Sequence, residues 1–281
     1  VLSGHTDTVP FDDKRWQSDP FTLTERDDRW YGLGTCDMKG FFPLAIEAAK
    51  AFVDQDLKQP LIILATADEE SSMDGARALA EAGRPKARYA VIGEPTGLKP
   101  VRMHKGIMME RLVFEGQSGH SSDPSLGRNA LEGMHEALGK LLTLRSGWQA
   151  KYSNPNFKVQ LPTMNLGCIH GGDNPNRICA RCELHFDLRP LPGMDMKALR
   201  QEILDTLQPV AKSRELSLTF EPLFDGVPPF ETPAEAALVR ACEKLTGYSA
   251  EAVAFATEAP WLQKLGMETL VMGPGYIDQA H

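Results

Sequence analysis

Short apolar runs that end on histidine or carboxylate side chains set the tightest limit on how this chain can fold. Val1-Leu2-Ser3-Gly4 runs into His5 and Asp7. Leu61-Ile62-Ile63-Leu64-Ala65-Thr66 is followed by Glu69 and Glu70, and Tyr89-Ala90-Val91-Ile92-Gly93 by Glu94. Thr269-Leu270-Val271-Met272-Gly273 opens the segment that closes on His281, and Asp37 lies in a glycine-flanked loop, Gly32-Leu33-Gly34-Thr35-Cys36-Asp37-Met38-Lys39-Gly40. Continuous apolar runs of this length read as strands buried on both faces, the habit of parallel sheets. In open α/β sheets, ligand-handling groups gather at the carboxyl ends of the strands. Segments far apart in sequence are therefore expected to bring His, Asp and Glu side chains to one rim. Imidazole mixed with carboxylate suits zinc, manganese or cobalt. More carboxylates than one ion requires point to two ions and a spare base.

The bulk numbers leave room for this reading and close off others. A chain of 281 residues, 42% of them hydrophobic, can build two domains. Thirty Lys plus Arg against 38 Asp plus Glu give a formal charge of −8, with no basic block, which argues against nucleic acid as a partner. No apolar run approaches the ~20 residues of a membrane span, and no signal peptide is visible. The first residues already read as a core strand, so a preceding segment is expected. Five scattered cysteines fit reduced thiols and a cytoplasmic location better than a disulfide framework. Cys179 and Cys182 form a C-x-x-C, but residues 178–189 alternate apolar and polar with a period of two. On such a strand the two thiols point to opposite faces and cannot share one ion.

The pattern changes twice along the chain. Up to about residue 104, strand-like and helix-like segments alternate, with a helix carrying Leu44, Ala45, Ala48, Ala49 and Phe52 and another over about 73–82. This is the βαβ rhythm of a parallel sheet. The middle part reads as a strand at 107–115, a helix with Leu131, Met134, Leu138, Leu141 and Leu142, strands near 159–169 and 178–189, a helix with Met196, Leu199, Ile203, Leu207 and Val210, and a strand at 217–220. That order, β-α-β-β-α-β, is the ferredoxin-like arrangement. From about residue 223 the first style returns, with a helix carrying Ala237, Leu238, Ala241 and Leu245 and the apolar strand at 269–273. The expected fold class is thus α/β, with a first domain over 1–105 and 223–281 and a second inserted at 106–222.

His5-Thr6-Asp7-Thr8-Val9-Pro10, the loop ending Asp37-Met38-Lys39-Gly40, Asp68-Glu69-Glu70 and Gly93-Glu94-Pro95 resemble, in order and spacing, the M20 family of dinuclear zinc amidohydrolases. Gly116-Gln117-Ser118-Gly119-His120-Ser121 is similar to the family's lid-domain histidine motif, and Gly171-Gly172 with Asn176 and Arg189 to its substrate-binding strand. Within the family, Gly34 to Phe41, Ala67 to Ser72 and Gly273-Pro274-Gly275 look like the bacterial branch that deacetylates N-acetylornithine. The family continues beyond this chain at both ends.

The resemblance implies a zinc-exopeptidase-like catalytic domain and an inserted lid and dimerisation domain, hence a homodimer. It implies two divalent metal ions, zinc or alternatively cobalt. His5 and Glu94 would hold one, Glu70 and His281 the other, and Asp37 would bridge them. Glu69 would be the general base and acid, Asp7 would orient His5, His120 would stabilise the oxyanion, and Asn176 and Arg189 would grip the substrate. The implied activity is hydrolysis of N-acetylornithine to ornithine and acetate in arginine biosynthesis. Alternatives are a deacylase of another N-acyl amino acid such as succinyl-diaminopimelate, a dipeptidase of the same family, a non-catalytic binding protein on the same scaffold, or an inactive fragment.

Overall fold

In the computed structural model, which describes residues 1–280, the apolar runs become neighbouring strands of one sheet. The chain begins with β1 (Leu2–His5), a hairpin of β2 (Thr24–Arg26) and β3 (Arg29–Tyr31), α1 (Phe41–Lys50), β4 (Ile63–Thr66), α2 (Asp74–Ala82), β5 (Tyr89–Pro95) and β6 (Val101–His104). The middle part holds β7 (Met108–Glu115), α3 (Ala130–Lys151), β8 (Thr163–Gly171), β9 (Arg181–Arg189), α4 (Met196–Ser213) and β10 (Ser217–Pro222). The last part adds β11 (Phe230–Glu231), α5 (Ala237–Thr246), β12 (Glu251–Val253), α6 (Ala259–Lys264) and β13 (Glu268–Gly273). Two compact units result. One comprises Val1–His104, Phe230–Val253 and the chain from Thr257, and the other Lys105–Pro229 with Ala254–Ala256. Among the described residues no helix is long and apolar enough to cross a membrane.

The first unit is built on a seven-stranded sheet of order β11-β6-β13-β5-β1-β4, with β12 pairing β6. Its centre is parallel: β1 lies between β4 and β5, and β5 also pairs β13. The carboxyl ends of β4, β1, β5 and β13 therefore share one rim. Ala90, Ile92, Val101, Val271 and Phe230 pack with Leu262, Leu265 and Met267 as the main core. Leu270, on the opposite face of β13, packs against Val239 and Cys242. Continuous apolar sequence is what such strands need, because helices cover both faces.

In the second unit four antiparallel strands run in the order β10-β7-β9-β8, with α3 and α4 between them in sequence, giving the β-α-β-β-α-β arrangement. One face buries Leu112, Phe114, Leu184, Phe186 and Leu188, together with Met134 and Leu141 of α3 and Ile203 and Leu207 of α4. Both helices start on a side-chain cap: Asn129 accepts from the Leu131 amide at 3.1 Å and Asp195 from the Ala198 amide at 2.7 Å. Cys182 is buried on β9, while Cys179 precedes the strand and its thiol donates to the Arg181 carbonyl at 3.1 Å. Burial raises the Cys182 thiol, and the neighbouring Cys179 adds to the rise.

Some expected helix faces are different. On α5 the buried residues are Val239 and Cys242, and Leu245 is 82% exposed. Both faces of that helix carry apolar residues, and contact with Leu270 selects the 239/242 side. On α1 only Ala45 of the expected stripe is buried, and Leu44, Ala48 and Phe52 are exposed. The helix is held instead through its first residues. A Cβ at Gly93 would run into the Phe41 ring, so the close α1–β5 approach depends on that strand residue being glycine. On α3 the buried stripe is Ala130, Gly133, Met134, Ala137 and Leu141, which leaves Leu131 and Leu142 exposed. The strand expected from residue 178 begins at Arg181, and the one expected from 159 begins at Thr163.

The Gly93 contact yields a direct expectation. Gly93→Ala forces the Phe41 ring or the strand to move, an overpacking cost of about 1–3 kcal/mol. Urea unfolding should show the midpoint falling with little change in slope; a variant as stable as the parent would show that α1 does not rest on β5 this way.

Candidate active site

Among the described residues, the rim of the first unit collects six carboxyl groups and one imidazole. His5 ends β1 and is 1% exposed. Its Nε2 lies 3.0 Å from Asp37 Oδ1 and 3.8 Å from Glu94 Oε1. Its Nδ1 lies 3.0 Å from the Asp7 main-chain carbonyl and 3.5 Å from Asp7 Oδ1. The nearer partner of the ring is thus the Asp7 backbone. The Asp7 carboxylate acts elsewhere. Its Oδ2 accepts the Glu70 amide at 3.0 Å and ties the β1 rim to the loop after β4.

That loop is bent so that two consecutive glutamates reach the rim. Asp68 adopts a left-handed φ of 63°, a region that Asp tolerates better than most residues. Its carbonyl accepts the Ser72 amide at 3.0 Å and the Met73 amide at 2.6 Å, and Ala67 accepts the Gly75 amide at 3.2 Å. Thr6 and Thr66 bind the neighbouring strand ends together: the Thr6 hydroxyl donates to the Thr66 carbonyl at 2.9 Å, and the Thr66 hydroxyl to the Gly4 carbonyl at 3.0 Å. Asp37 arrives from the glycine loop. Gly34 has φ +80°, and a Cβ there would meet Lys39 and Thr8 at under 3 Å, so the loop closes onto the rim only with glycine.

One atom each from His5, Asp37 and Glu70 lie within 4.8 Å of one another, the only such group of metal-ligating side chains among the described residues. Glu94, 5% exposed, stands against His5 from β5. One imidazole with several carboxylates, gathered this closely and largely out of water, is a donor set that fits divalent cations of the zinc type. Among the sequence-expected ligands, His281 lies outside the described residues.

The electrostatics follow from crowding. Burial alone would lower the His5 pKa, but the Asp37 hydrogen bond and the charges of Glu69, Asp37 and Asp7 overcome it and raise it to about 9. Burial pushes Glu69 up to about 8; Glu258, Glu70 and Asp37 push the same way, and His5 pulls back. Glu94 is raised well above the carboxylate range by burial, then by the charges of Glu69 and Asp37. Carboxylates this close cannot all ionise without positive charge among them. A proton on His5 meets part of that need, and divalent ions would meet more of it.

Glu258, which sequence reading missed, belongs to the same cluster. It is fully buried, and burial raises it to about 7 while the Thr66 hydroxyl and His5 pull it down. Nothing in Thr257-Glu258-Ala259-Pro260 marks it. It precedes a short helix instead of following an apolar run, where an acidic residue reads as an ordinary cap. A cleft of about 830 Å³ opens beside the rim; Asp37 and Glu70 face it, and Trp16, Trp30, Tyr31 and Tyr276 add aromatic walls.

The remaining candidates sit in the second unit. His120 is exposed, with Nδ1 2.8 Å from the Ser122 hydroxyl. Asn176 is brought beside it, its carbonyl accepting the Ser121 amide at 3.1 Å, in the loop before β9. Arg189 closes the other end of β9 and donates from Nε to Asp187 at 2.9 Å.

The pattern of peptidase family M20/M25/M40 matches residues 1–281. The chain is 54% identical to an acetylornithine deacetylase of Edwardsiella ictaluri and 52% identical to one of Pectobacterium carotovorum; each comparison covers the whole chain and 73% of the relative. In fold it is similar to the aminopeptidase PepT of Bacillus cereus, with a TM-score of 0.72 and 21% identity over the whole chain and 73% of that structure. It is also similar to the metallo-carboxypeptidase Sso-CP2 of Sulfolobus solfataricus, with a TM-score of 0.67 and 18% identity over the whole chain and 78% of that structure.

The Asp7–Glu70 bond gives a test of how the rim is held. Asp7→Ala leaves the Glu70 amide without its acceptor and frees the glutamate loop. Divalent-metal affinity, read by competition with a chelator, should weaken about 10–100-fold, as when a group behind a metal ligand is lost. Unchanged affinity would show that the loop holds Glu70 by itself. Replacing Cys179 with Ala and Cys182 with Val should leave the number of bound ions the same, and loss of an equivalent would mean that the thiols ligate.

Proposed function

The chain belongs to peptidase family M20/M25/M40, and from that premise we propose that it is a metal-dependent amidohydrolase cleaving N2-acetyl-L-ornithine to L-ornithine and acetate, a step of arginine biosynthesis. The observation that carries the chemistry is the gathering of His5, Asp37 and Glu70 within ligand range of each other, with Glu94 beside them. The substrate rests on the identity with two acetylornithine deacetylases over the whole chain.

In this reading His5 and Glu94 hold one ion, Glu70 and His281 the other, and Asp37 bridges. Zinc suits the donors best, with cobalt as an alternative. When bound, such ions acidify a water and polarise the amide carbonyl. Glu69 takes a proton from the attacking water as its oxygen bonds to the carbonyl carbon. It returns that proton to the nitrogen as the C–N bond breaks, releasing the amine and acetate. A carboxyl side chain at this rim, next to the Glu70 ligand, is placed for both transfers. Asp7 holds the His5 ring through its carbonyl and the Glu70 loop through its carboxylate.

The inserted segment, about 106–222, serves as lid and dimerisation domain. His120 stabilises the tetrahedral oxyanion, and Asn176 and Arg189 grip the substrate, Arg189 by a fork on its carboxylate. The enzyme works as a cytoplasmic homodimer, and its five free cysteines suit a reducing compartment.

Glu69→Gln should abolish turnover of N-acetylornithine with metal content nearly unchanged. A variant that kept its rate, or lost its ions, would remove Glu69 from the base role. Parallel assays on succinyl-diaminopimelate and a dipeptide should give far lower kcat/KM, and preference for either would reassign the substrate. His120→Ala should lower kcat by about 10²–10³ and leave the ions in place. Mixing it with Glu69→Gln decides whose site the histidine serves. Recovered activity in heterodimers means that it acts across the dimer, and heterodimers that stay dead mean that it does not.

A further inference from the structure

Glu258 is the most fully buried charged group of the first unit that the proposed chemistry does not use. It stands at the start of α6 with no exposed surface, and its side chain does not cap the helix. The hydroxyls of Thr66 and Ser3 lie against it. Among the described residues, however, neither of its carboxylate oxygens completes a hydrogen bond of normal geometry, and neither does Ser3 Oγ. A carboxylate taken out of water with both oxygens unmatched is costly unless positive charge stands near.

What stands near is the rim. Glu258 interacts through space with His5 and Asp7, and both Glu69 and Glu94 feel its charge. Its two hydroxyl neighbours lie on the strands that build the site. Ser3 precedes His5 by two residues on β1, and Thr66 is the register partner of His5 on β4, just before the Glu69–Glu70 loop. The group is thus a buried neighbour of the proposed ligands, where water does not screen it and charge acts strongly over several ångströms.

We propose that Glu258 is a positioning residue of the metal centre, a fixed buried carboxylate whose charge favours divalent cations at the His5–Asp37–Glu70–Glu94 rim. It does not touch the ions. It adds fixed negative charge beside the ligands, and cation charge at the rim offsets its unmatched burial. This rests on the metal-centre reading above.

The test is zinc binding to the metal-depleted chain in competition with a chromogenic chelator, together with thermal unfolding of the metal-free protein. Glu258→Gln keeps shape and removes charge. It should raise the zinc Kd about 10–100-fold, while metal-free unfolding stays where it was or rises. Glu258→Asp keeps the charge and should recover most of the affinity. Parent-like zinc affinity in Glu258→Gln overturns the proposal. So does a metal-free Glu258→Gln that no longer folds, because the carboxylate then serves the fold. Glu258→Asp binding as weakly as Glu258→Gln overturns it as well, because charge is then not what matters. Failure of the unaltered chain to bind zinc would instead sink the metal-centre reading itself, a separate result.

Discussion

Like charge brought together out of water is the constraint on which the rest of the first unit depends. Asp7, Asp37, Glu69, Glu70, Glu94 and Glu258 converge around the buried His5 imidazole. No fold gathers such a set for stability, since desolvation and repulsion both oppose it. The parallel sheet offsets that opposition. Its central strands are hydrogen-bonded on both sides and packed by a continuous apolar core, so their carboxyl ends hold positions that the side chains themselves disfavour. The raised pKa values of His5, Glu69 and Glu94 are the mark of that crowding.

The same constraint explains why so much local structure is devoted to backbone placement. Asp68 takes a left-handed conformation to turn Glu69 and Glu70 onto the rim, and Gly34 lets the Asp37 loop close. Asp7 joins two of these segments with one side chain. Each device acts on main-chain groups, which are stiffer than long side chains and place a carboxylate with less freedom to escape its neighbours.

Much of this can be read from the residues. His5, Asp7, Glu69, Glu70 and Glu94 each follow an apolar run, and an unbroken short run is itself the mark of a strand covered on both faces. The β-α-β-β-α-β order of the second unit is legible because its strands alternate and its helices have the right period. Glu258 is not legible, since its meaning comes from β1 and β4, residues far away in sequence that fold over it. The buried faces of α1 and α5 escape a sequence reading for a related reason. Helices rich in alanine and leucine offer more than one apolar stripe, and only the partner, Leu270 for α5 and Gly93 for α1, selects the buried one. The loop position of Asn176 is hidden because alternation near 178 resembles a strand before the ladder begins at Arg181.

Crowding of this kind at one rim is the arrangement expected of a site that holds two divalent ions through a shared carboxylate. Native mass spectrometry of the zinc-loaded chain, with Asp37→Ala beside it, tests that expectation most directly. Two ions are expected for the parent and none for the variant, if Asp37 is shared by both. A variant that keeps one tightly held ion, or a parent that holds none, would contradict it.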